Sequence, residues 1–236
     1  MLVLGLDYET TGLSYKQDRV IEVGAVIWDT TKGLPVLVES HYVKQEVKPS
    51  PEAMACNGIN LDHVDIFGLT SNKSLDIQLR LLDKVKAVVA HNGEVFDRLF
   101  FNEWCLRELK VKLSIPWIDT KTDLPYPLGI KTRKLVHLAA EHNFLNPFAH
   151  RAIFDVLTML KVLQSYDVEQ ALDLCQQPMV CLQALVSYQD RAKASDRGYH
   201  WHGPSKTWWR SIRESQVIKE TVECNFPVKQ IQQPQE

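Results

Sequence analysis

Residues Met1 to Leu13, MLVLGLDYETTGL, join an apolar run to two carboxylates that are separated by one residue. The run from Met1 to Leu6 predicts a buried β-strand. Because alternate side chains of a strand point to one face, Asp7 and Glu9 should project side by side, roughly 7 Å apart. Two anions in one small volume require a cation, a shared proton or a solvated strand end.

The composition is typical of a globular protein. With 236 residues, 45% apolar and 24% charged, the chain is long enough for a substantial core and a small second module. The net charge is −2, so nucleic-acid binding would need a local patch, a bound metal or a shaped cleft. Five scattered cysteines without a CxxC pair favour reduced thiols and a cytoplasmic location. Neither a signal peptide nor a membrane span is expected.

The spacing of apolar residues predicts an α/β fold. Two β-branched runs, Arg19 to Asp29 and Leu34 to Lys44, follow the first strand and predict an antiparallel meander of three strands. Ser50 and Pro51 match the N-cap and the first position of a helix. From Ser74 onward, helical patterns alternate with short strand patterns, which indicates a mixed sheet with helices packed on it.

A change in composition predicts two domains, with residues 1–177 in the first and a small α+β module in residues 178–236. Between Arg191 and Arg213 the module has six basic residues against one acidic residue. The same stretch has four aromatic residues: Tyr199, Trp201, Trp208 and Trp209. Interleaved basic and aromatic side chains suit nucleic-acid binding, but tryptophans equally suit the core of a small module. The chain ends in a Gln-rich tail, QIQQPQE.

Three acidic motifs occur in order along the first domain. Asp7 and Glu9 lie in DYETTGL, Asp97 lies in AHNGEVFD and Asp155 lies in AHRAIFD. Taken alone, each is better explained as a chance pair or as a charge in the first turn of a helix than as part of a site. Together they fall at predicted strand ends or helix starts, where the substrate sites of α/β sheets lie.

These motifs resemble those of the DnaQ-like 3′-to-5′ exonucleases, in the subclass that has four carboxylates and a histidine. DYETTGL with RVIEVGAV is similar to that family's first motif, AHNGEVFD to its second and AHRAIFD to its third. The resemblance extends from Met1 to about Tyr166. His150 lies five residues before Asp155, as in the histidine subclass. The resemblance implies an RNase H-like fold, with a mixed five-stranded sheet flanked by helices.

The spacing of the third motif also predicts where its histidine lies. Residues five apart on a helix differ by about 140° in direction, so His150 and Asp155 would not easily point into one site from one regular helix. We expect His150 on the loop after Asn146 and Pro147, curled over the site. Without the motif, a surface or capping role would explain His150 better. Tyr8 should point to the opposite sheet face from the carboxylates and serve packing.

The resemblance implies a phosphodiester hydrolase that removes nucleotides from the 3′ end of DNA as nucleoside 5′-monophosphates. It implies two Mg²⁺ or Mn²⁺ ions and a general base, His150. The implied metal ligands are Asp7, Glu9, Asp97 and Asp155. The implied substrate contacts are Thr10, Thr11, Gly12, Leu13, which would wedge against the terminal base, and Asn92. The simpler explanation of Thr10 to Leu13 is a turn after the first strand. Asn92 and His91 could instead be loop residues that bond the backbone, and for His91 we favour this explanation.

Two other functions fit the same motifs. One is an RNA 3′ exonuclease with the same metals and fold, since the choice between DNA and RNA rests on contacts to the 2′-hydroxyl. The other is a nuclease-like module that only binds, against which the intact carboxylates and His150 argue. We expect the substrate to be a single-stranded 3′ end of DNA. A polymerase or another replication or repair protein is the expected partner.

Overall fold

The structure, a computed structural model, describes residues 1–127, 129–130 and 132–234. The chain divides into two compact units. The first consists of Met1–Leu124 and Lys134–Leu172, and the second contains Pro125–Arg133 and the chain from Asp173 onward. The domain boundary expected after residue 177 stays a prediction, because compactness alone does not show that either part folds independently.

The first unit is built on a mixed five-stranded sheet, as predicted. Its strands are β1 (Leu2–Thr10), β2 (Val20–Asp29), β3 (Leu34–Tyr42), β4 (Val88–Ala90) and β5 (Trp117–Asp119). They lie in the order β3-β2-β1-β4-β5. The meander β1-β2-β3 is antiparallel, whereas β4 pairs in parallel with both β1 and β5. The carboxyl ends of β1, β4 and β5 therefore meet at one edge of the sheet.

Between the meander and Pro178, the described chain forms seven helices. They are α1 (Pro51–Asn57), α2 (Leu61–Phe67), α3 (Ser71–Leu82), α4 (Asp97–Leu109), α5 (Leu135–Glu141), α6 (Ala152–Leu163) and α7 (Val168–Cys175). The predicted start of α1 is confirmed, since the Ser50 hydroxyl accepts a hydrogen bond from the Ala53 amide at 3.1 Å. The sequence patterns missed α2 and α7. None of the helices in the described residues combines the length and apolar character that crossing a bilayer requires.

The alternation of side chains along β1 divides the first unit into two layers. Leu4, Leu6 and Tyr8 pack into the core together with residues of α3 and α4. The Tyr8 hydroxyl donates to Gln78, and its ring meets Trp104 edge to face at 6.2 Å between centroids. The packing role expected for Tyr8 is therefore confirmed, and Asp7 and Glu9 are left for the opposite face of the sheet.

Helix α6 covers that opposite face, and two glycines let it approach closely. A Cβ atom on Gly24 of β2 would lie 2.4 Å from the Ala152 carbonyl carbon. On Gly5 of β1 it would lie 2.7 Å from Leu160 Cδ1 and 2.8 Å from Val156 Cγ1. The backbone contact at Gly24 fixes how far Ala152, the first residue of α6, lies from β2. Ala152 follows His150 by two residues.

The second unit is a separate antiparallel sheet with two helices. Its strands are β6 (Met179–Ala184), β7 (His200–His202), β8 (Thr207–Arg213) and β9 (Val228–Ile231), in the order β7-β8-β6-β9. Its helices are α8 (Arg191–Asp196) and α9 (Gln216–Glu223). The predicted small α+β module is confirmed. The tail was interpreted only as Gln-rich, but Gln230 and Ile231 belong to β9; Gln235 and Glu236 lie outside the described residues.

The close approach at Gly24 predicts a graded response to alanine. Gly24→Ala should lower the free energy of unfolding by about 1–3 kcal/mol, because a backbone carbon cannot move aside as a side chain can. Gly5→Ala should cost less, since its neighbours are the ends of flexible side chains. Urea unfolding of both variants measures this order, and equal losses would contradict the account of α6.

Candidate active site

The four predicted carboxylates come together where β1, α4 and α6 meet. Asp7 and Glu9 lie near the end of β1, Asp97 is the first residue of α4, and Asp155 lies in the first turn of α6. Asp7 is close enough to the other three carboxylates to feel the charge of each. These residues come from three distant parts of the chain, so tertiary packing creates the cluster.

A hydrogen bond to the backbone of β1 fixes Asp97 beside the two carboxylates of that strand, Asp7 and Glu9. Asp97 is buried, and its Oδ1 accepts a hydrogen bond of 3.1 Å from the Tyr8 amide. Tyr8 lies between Asp7 and Glu9 in sequence. The start of α4 is therefore bound directly to the part of β1 that bears the first acidic motif.

A short loop before α6 holds His150 and Asp155 together. The Asp155 carboxylate accepts hydrogen bonds from the Asn146 amide group at 2.7 Å and from the His150 backbone at 2.9 Å. His150 has a φ of +65°, so it lies outside the helix, as predicted. Possible ligand atoms of Glu9, His150 and Asp155 all lie within 4.8 Å of one another. The histidine that spacing alone could not place on the helix thus reaches the site from the loop.

Burial and mutual repulsion raise the pKa values of the clustered carboxyl groups, which favours their protonated forms. Burial, reinforced by the charges of Asp97 and Asp155, raises the pKa of Asp7 well above its ordinary value. Burial, with Glu22 as the largest charge effect, raises the pKa of Glu9 to about 8. The pKa of Asp97 is also raised to about 8, mainly by burial. A cation would relieve the same repulsion.

The donor set of the cluster fits a divalent metal. Carboxylate oxygens are hard ligands of the kind that Mg²⁺ and Mn²⁺ prefer. Several of them are shielded from water and repel one another, so a bound cation would stabilise the site by offsetting that repulsion. Glu9, Asp155 and the neighbouring His150 have the spacing of a metal-binding group. The site is therefore a candidate metal centre.

The four residues expected to receive the terminal nucleotide differ in how they are held. The Thr10 hydroxyl donates to the Gly12 carbonyl at 2.6 Å, and the buried Thr11 hydroxyl donates to Asp18 at 3.1 Å. Leu13 is 86% exposed. The threonine side chains thus shape the turn after β1, and Leu13 is the member of the group whose side chain is open to solvent.

Asn92 and His91 lie in the loop after β4, where both side chains have partners. Asn92 has a φ of +66°, and its side-chain oxygen accepts a hydrogen bond of 2.8 Å from the Lys121 ammonium group. The His91 ring contacts the Thr120 hydroxyl at 2.9 Å. His91 therefore lies in a loop, as expected, and this contact is to a side chain. The expected hydrogen bond to the loop backbone stays a prediction. The substrate contact expected for Asn92 stays a prediction.

Sequence reasoning missed three charged residues around the site. Glu22 of β2 pairs with Glu9 across the sheet and is bound by Arg151, the neighbour of His150. Asp119, at the end of β5, accepts hydrogen bonds from the backbone amides of Asn92 at 2.8 Å and Lys121 at 2.9 Å. The signal for Glu22 was a single charge inside the apolar run VIEVGAV, which marks a buried ion that requires a partner.

The basic and aromatic stretch of the second unit is only partly exposed. Arg197 and Arg210 form ion pairs with Glu220, and Arg213 is buried and donates to the Gln177 carbonyl. The six basic residues therefore do not form the open patch that their count suggested, because three of them hold the module together. Trp201 is 53% exposed, and its ring lies 5.7 Å from that of Trp208.

Comparison with known proteins gives the class of protein. The exonuclease family model, RNase T, matches residues 4–163. A DNA polymerase III of the PolC type from Thermotoga maritima is 30% identical over 160 residues, which cover 64% of this chain and 10% of the polymerase. The chain belongs to the exonuclease family, which is DnaQ-like, and the resemblance found in the sequence is confirmed. It matches only about a tenth of the length of its curated relative.

Solved structures give the fold. Escherichia coli exonuclease I in complex with a dA16 oligonucleotide aligns with a TM-score of 0.60 and 16% identity, over 98% of this chain and 62% of that one. Exonuclease X in complex with 5′-overhanging duplex DNA aligns with a TM-score of 0.55 and 24% identity, over 73% and 99%. The predicted RNase H-like fold is confirmed.

The raised pKa values predict how stability depends on pH and metal. Glu9 and Asp97 have a pKa of about 8 in the folded chain, against about 4 when unfolded. The folded chain then binds more protons than the unfolded one between these values, so stability falls as pH rises through this window. Without metal, Tm should be lower at about pH 8 than at about pH 5.5, and Mn²⁺ should raise Tm more at the higher pH.

Two variants control this thermal experiment. Asp7→Asn removes one of the repelling anions, so its Tm at about pH 8 without metal should equal or exceed that of the wild type, and its response to Mn²⁺ should be lost. Asp65→Asn alters an exposed carboxylate of α2 and should respond as the wild type does. A Tm that rises with pH in the absence of metal would contradict the charge balance of the site.

Proposed function

We propose that the protein is a 3′-to-5′ exodeoxyribonuclease that releases nucleoside 5′-monophosphates. The observation that carries this proposal is the cluster of four carboxylates, one buried and three half-buried, with His150 at its margin. Membership of the exonuclease family supports the class of reaction. The proposal adds two details to this class: cleavage proceeds from the 3′ end, and the substrate contains deoxyribose rather than ribose.

The proposed mechanism assigns a distinct task to each group of residues. Asp7, Glu9, Asp97 and Asp155 would hold two Mg²⁺ or Mn²⁺ ions. When bound, such ions stabilise the charge that develops on the phosphate and on the leaving oxygen. His150 would accept the proton of the attacking water, since an imidazole can change its protonation near neutral pH. Cleavage of the last phosphodiester bond then leaves the phosphate on the released nucleotide.

The proposed substrate end lies along the turn after β1. The backbone at Thr10, Thr11 and Gly12 would receive the terminal nucleotide, and the exposed Leu13 would pack against its base. Asn92 would contact the substrate from the loop after β4. Leu13 follows Glu9 by four residues and is 86% exposed, so its side chain is available for such a contact.

The proposal extends to substrate, partner and compartment. A single DNA strand is favoured because exonuclease I, which has this fold, is seen with a dA16 oligonucleotide. A polymerase or another replication or repair protein is the proposed partner, because a PolC-type polymerase contains a similar segment. The five cysteines are free, which suits the reducing cytoplasm.

End-labelled substrates test the proposed reaction. With Mg²⁺, a 5′-labelled single strand of DNA should shorten through a ladder of products, and a 3′-labelled strand should release labelled mononucleotide at once. EDTA should stop both reactions. Internal fragments or immediate release of the 5′ label would contradict 3′-to-5′ cleavage. Faster cleavage of a matched RNA would favour the RNA exonuclease, and no cleavage of either would favour a binding module.

Two substitutions separate metal binding from proton transfer. Asp7→Asn should abolish cleavage, because it removes a ligand charge from the metal site. His150→Ala should lose most of its turnover, by about 10²–10⁴-fold, and still bind Mn²⁺ because the carboxylates remain. Calorimetric titration with Mn²⁺ measures the second claim, and an equal loss of metal affinity in both variants would make His150 a ligand.

We also propose that the second unit contacts the nucleic acid through Trp201, on the hairpin β7–β8. Its exposed ring, paired with Trp208, supports stacking on a base. Trp201→Ala in the full chain should weaken DNA binding by about 5-fold to 100-fold, and turnover at saturating DNA should be unchanged. Ile218→Ala alters an exposed apolar residue of α9 and serves as the control. Equal affinity of the two variants would leave a packing role for Trp201.

A further inference from the structure

Glu22 is a fifth carboxylate at the edge of the site, and its surroundings differ from those of the other four. It is 1% exposed and lies directly opposite Glu9 in the β1–β2 ladder. A buried charge of this kind is costly unless it is paired and hydrogen-bonded. Within the described residues, the hydrogen bonds to its side chain come from Arg151 and Ala152, which follow His150.

Arg151 supplies most of those partners. Its Nε lies 3.1 and 3.2 Å from the two Glu22 oxygens, and one terminal nitrogen donates to Glu22 at 2.7 Å. The same nitrogen donates to the Tyr42 hydroxyl at 2.9 Å, and the guanidinium lies 5.6 Å from the centre of the Tyr42 ring. These contacts fix a planar group in both direction and rotation.

Glu22 also binds the first turn of α6 directly. The Ala152 backbone amide donates to Glu22 at 3.3 Å, and this amide is one of those that a helix start leaves without an internal partner. Arg151 is the N-cap residue of α6, and its side chain makes no cap hydrogen bond of its own. Glu22 therefore binds two consecutive residues, Arg151 and Ala152, immediately after His150.

From these contacts we propose that Glu22 and Arg151 are positioning residues, which hold His150 at the site by fixing the residues next to it. The proposal rests on the proposed function of His150 as the general base. His150 has a left-handed backbone conformation and an exposed side chain, so its own packing holds it weakly. The Glu22–Arg151 pair spans 129 positions of sequence and adds a constraint to the hydrogen bond that the His150 backbone donates to Asp155.

A direct contact between Arg151 and a substrate phosphate is the competing role. The Arg151 side chain is 42% exposed, and a guanidinium is well suited to phosphate. The two roles predict different kinetics. Loss of a phosphate contact would raise KM, whereas loss of the positioning contact would lower kcat and leave KM nearly unchanged.

The test removes the pair in two backgrounds. Arg151→Gln alone leaves a buried unpaired charge, so the double variant Glu22→Gln/Arg151→Gln is included as the neutral pair. Because small misplacements of a catalytic group are costly, the double variant should lose about 10-fold to 100-fold in kcat, with KM within about 3-fold of wild type. In a His150→Ala background, under single-turnover conditions, the same pair of changes should alter the residual rate by less than about 3-fold.

Lys161→Gln, which removes an exposed charge from the last turn of α6, is the matched control and should keep the wild-type kcat. Equal losses of kcat with and without His150 would overturn the positioning role. A raised KM with unchanged kcat would assign Arg151 to the substrate instead.

Amide exchange separates failure of this inference from failure of the proposed function. Exchange of the Ala152 amide should be about 10-fold faster in the double variant, because the glutamine that replaces Glu22 is a weaker acceptor than a carboxylate held by Arg151, and exchange in α3 should be unchanged. If the wild type cleaves no nucleic acid, the proposed function fails, and the exchange result still reports on the contact. Unchanged exchange at Ala152 would overturn the inference.

Discussion

The repulsion among closely spaced buried and half-buried carboxylates is the constraint on which the rest of the site depends. Asp7, Glu9 and Asp97 lie close together with little access to water, and their pKa values are raised as a result. Folding alone gains nothing from such an arrangement, because each added charge makes ionisation of the others more costly. The proposed binding of a cation there would account for a sequence that keeps these carboxylates together. Folding loses free energy to this repulsion, and binding of a metal ion would offset that loss.

The first strand makes the arrangement possible because its two faces have different tasks. One face of β1 contributes Leu4, Leu6 and Tyr8 to the core, and the other bears the carboxylates. The core face anchors the strand, so the charged face can tolerate repulsion without moving. Helix α6 can then approach because Gly24 leaves room for its first residue. One face of β1 thus stabilises the fold, and the other bears the carboxylates that repel one another.

Local patterns predicted the parts of the fold that local physics decides. The meander, the cap at Ser50 and the position of His150 outside α6 follow from alternation, helix-start preferences and helical angles. Strand β9 escaped because a short strand with polar residues is stabilised by its pairing with β6, which no local pattern contains. The ion pair of Glu22 with Arg151 escaped for the same reason.

The charges of the second unit show a further limit of sequence counting. Six basic residues in one stretch suggested an open patch, but Arg197 and Arg210 both form ion pairs with Glu220, which comes from a later helix. Net charge along the chain is informative about a surface only when no distant partner is present. The carboxylate cluster was predictable because three motifs agreed in order and type, and each carboxylate lay at an element boundary.

A crystal structure of the protein grown with Mn²⁺ and a nucleoside 5′-monophosphate tests the central claim most directly. Anomalous scattering would locate the ions without assuming their ligands. The account predicts two Mn²⁺ peaks within roughly 2.0–2.3 Å of oxygens from Asp7, Glu9, Asp97 and Asp155, with the nucleotide phosphate bound to both. Anomalous peaks elsewhere on the protein, or none at this cluster under saturating Mn²⁺, would contradict the assignment of the carboxylates to a metal site.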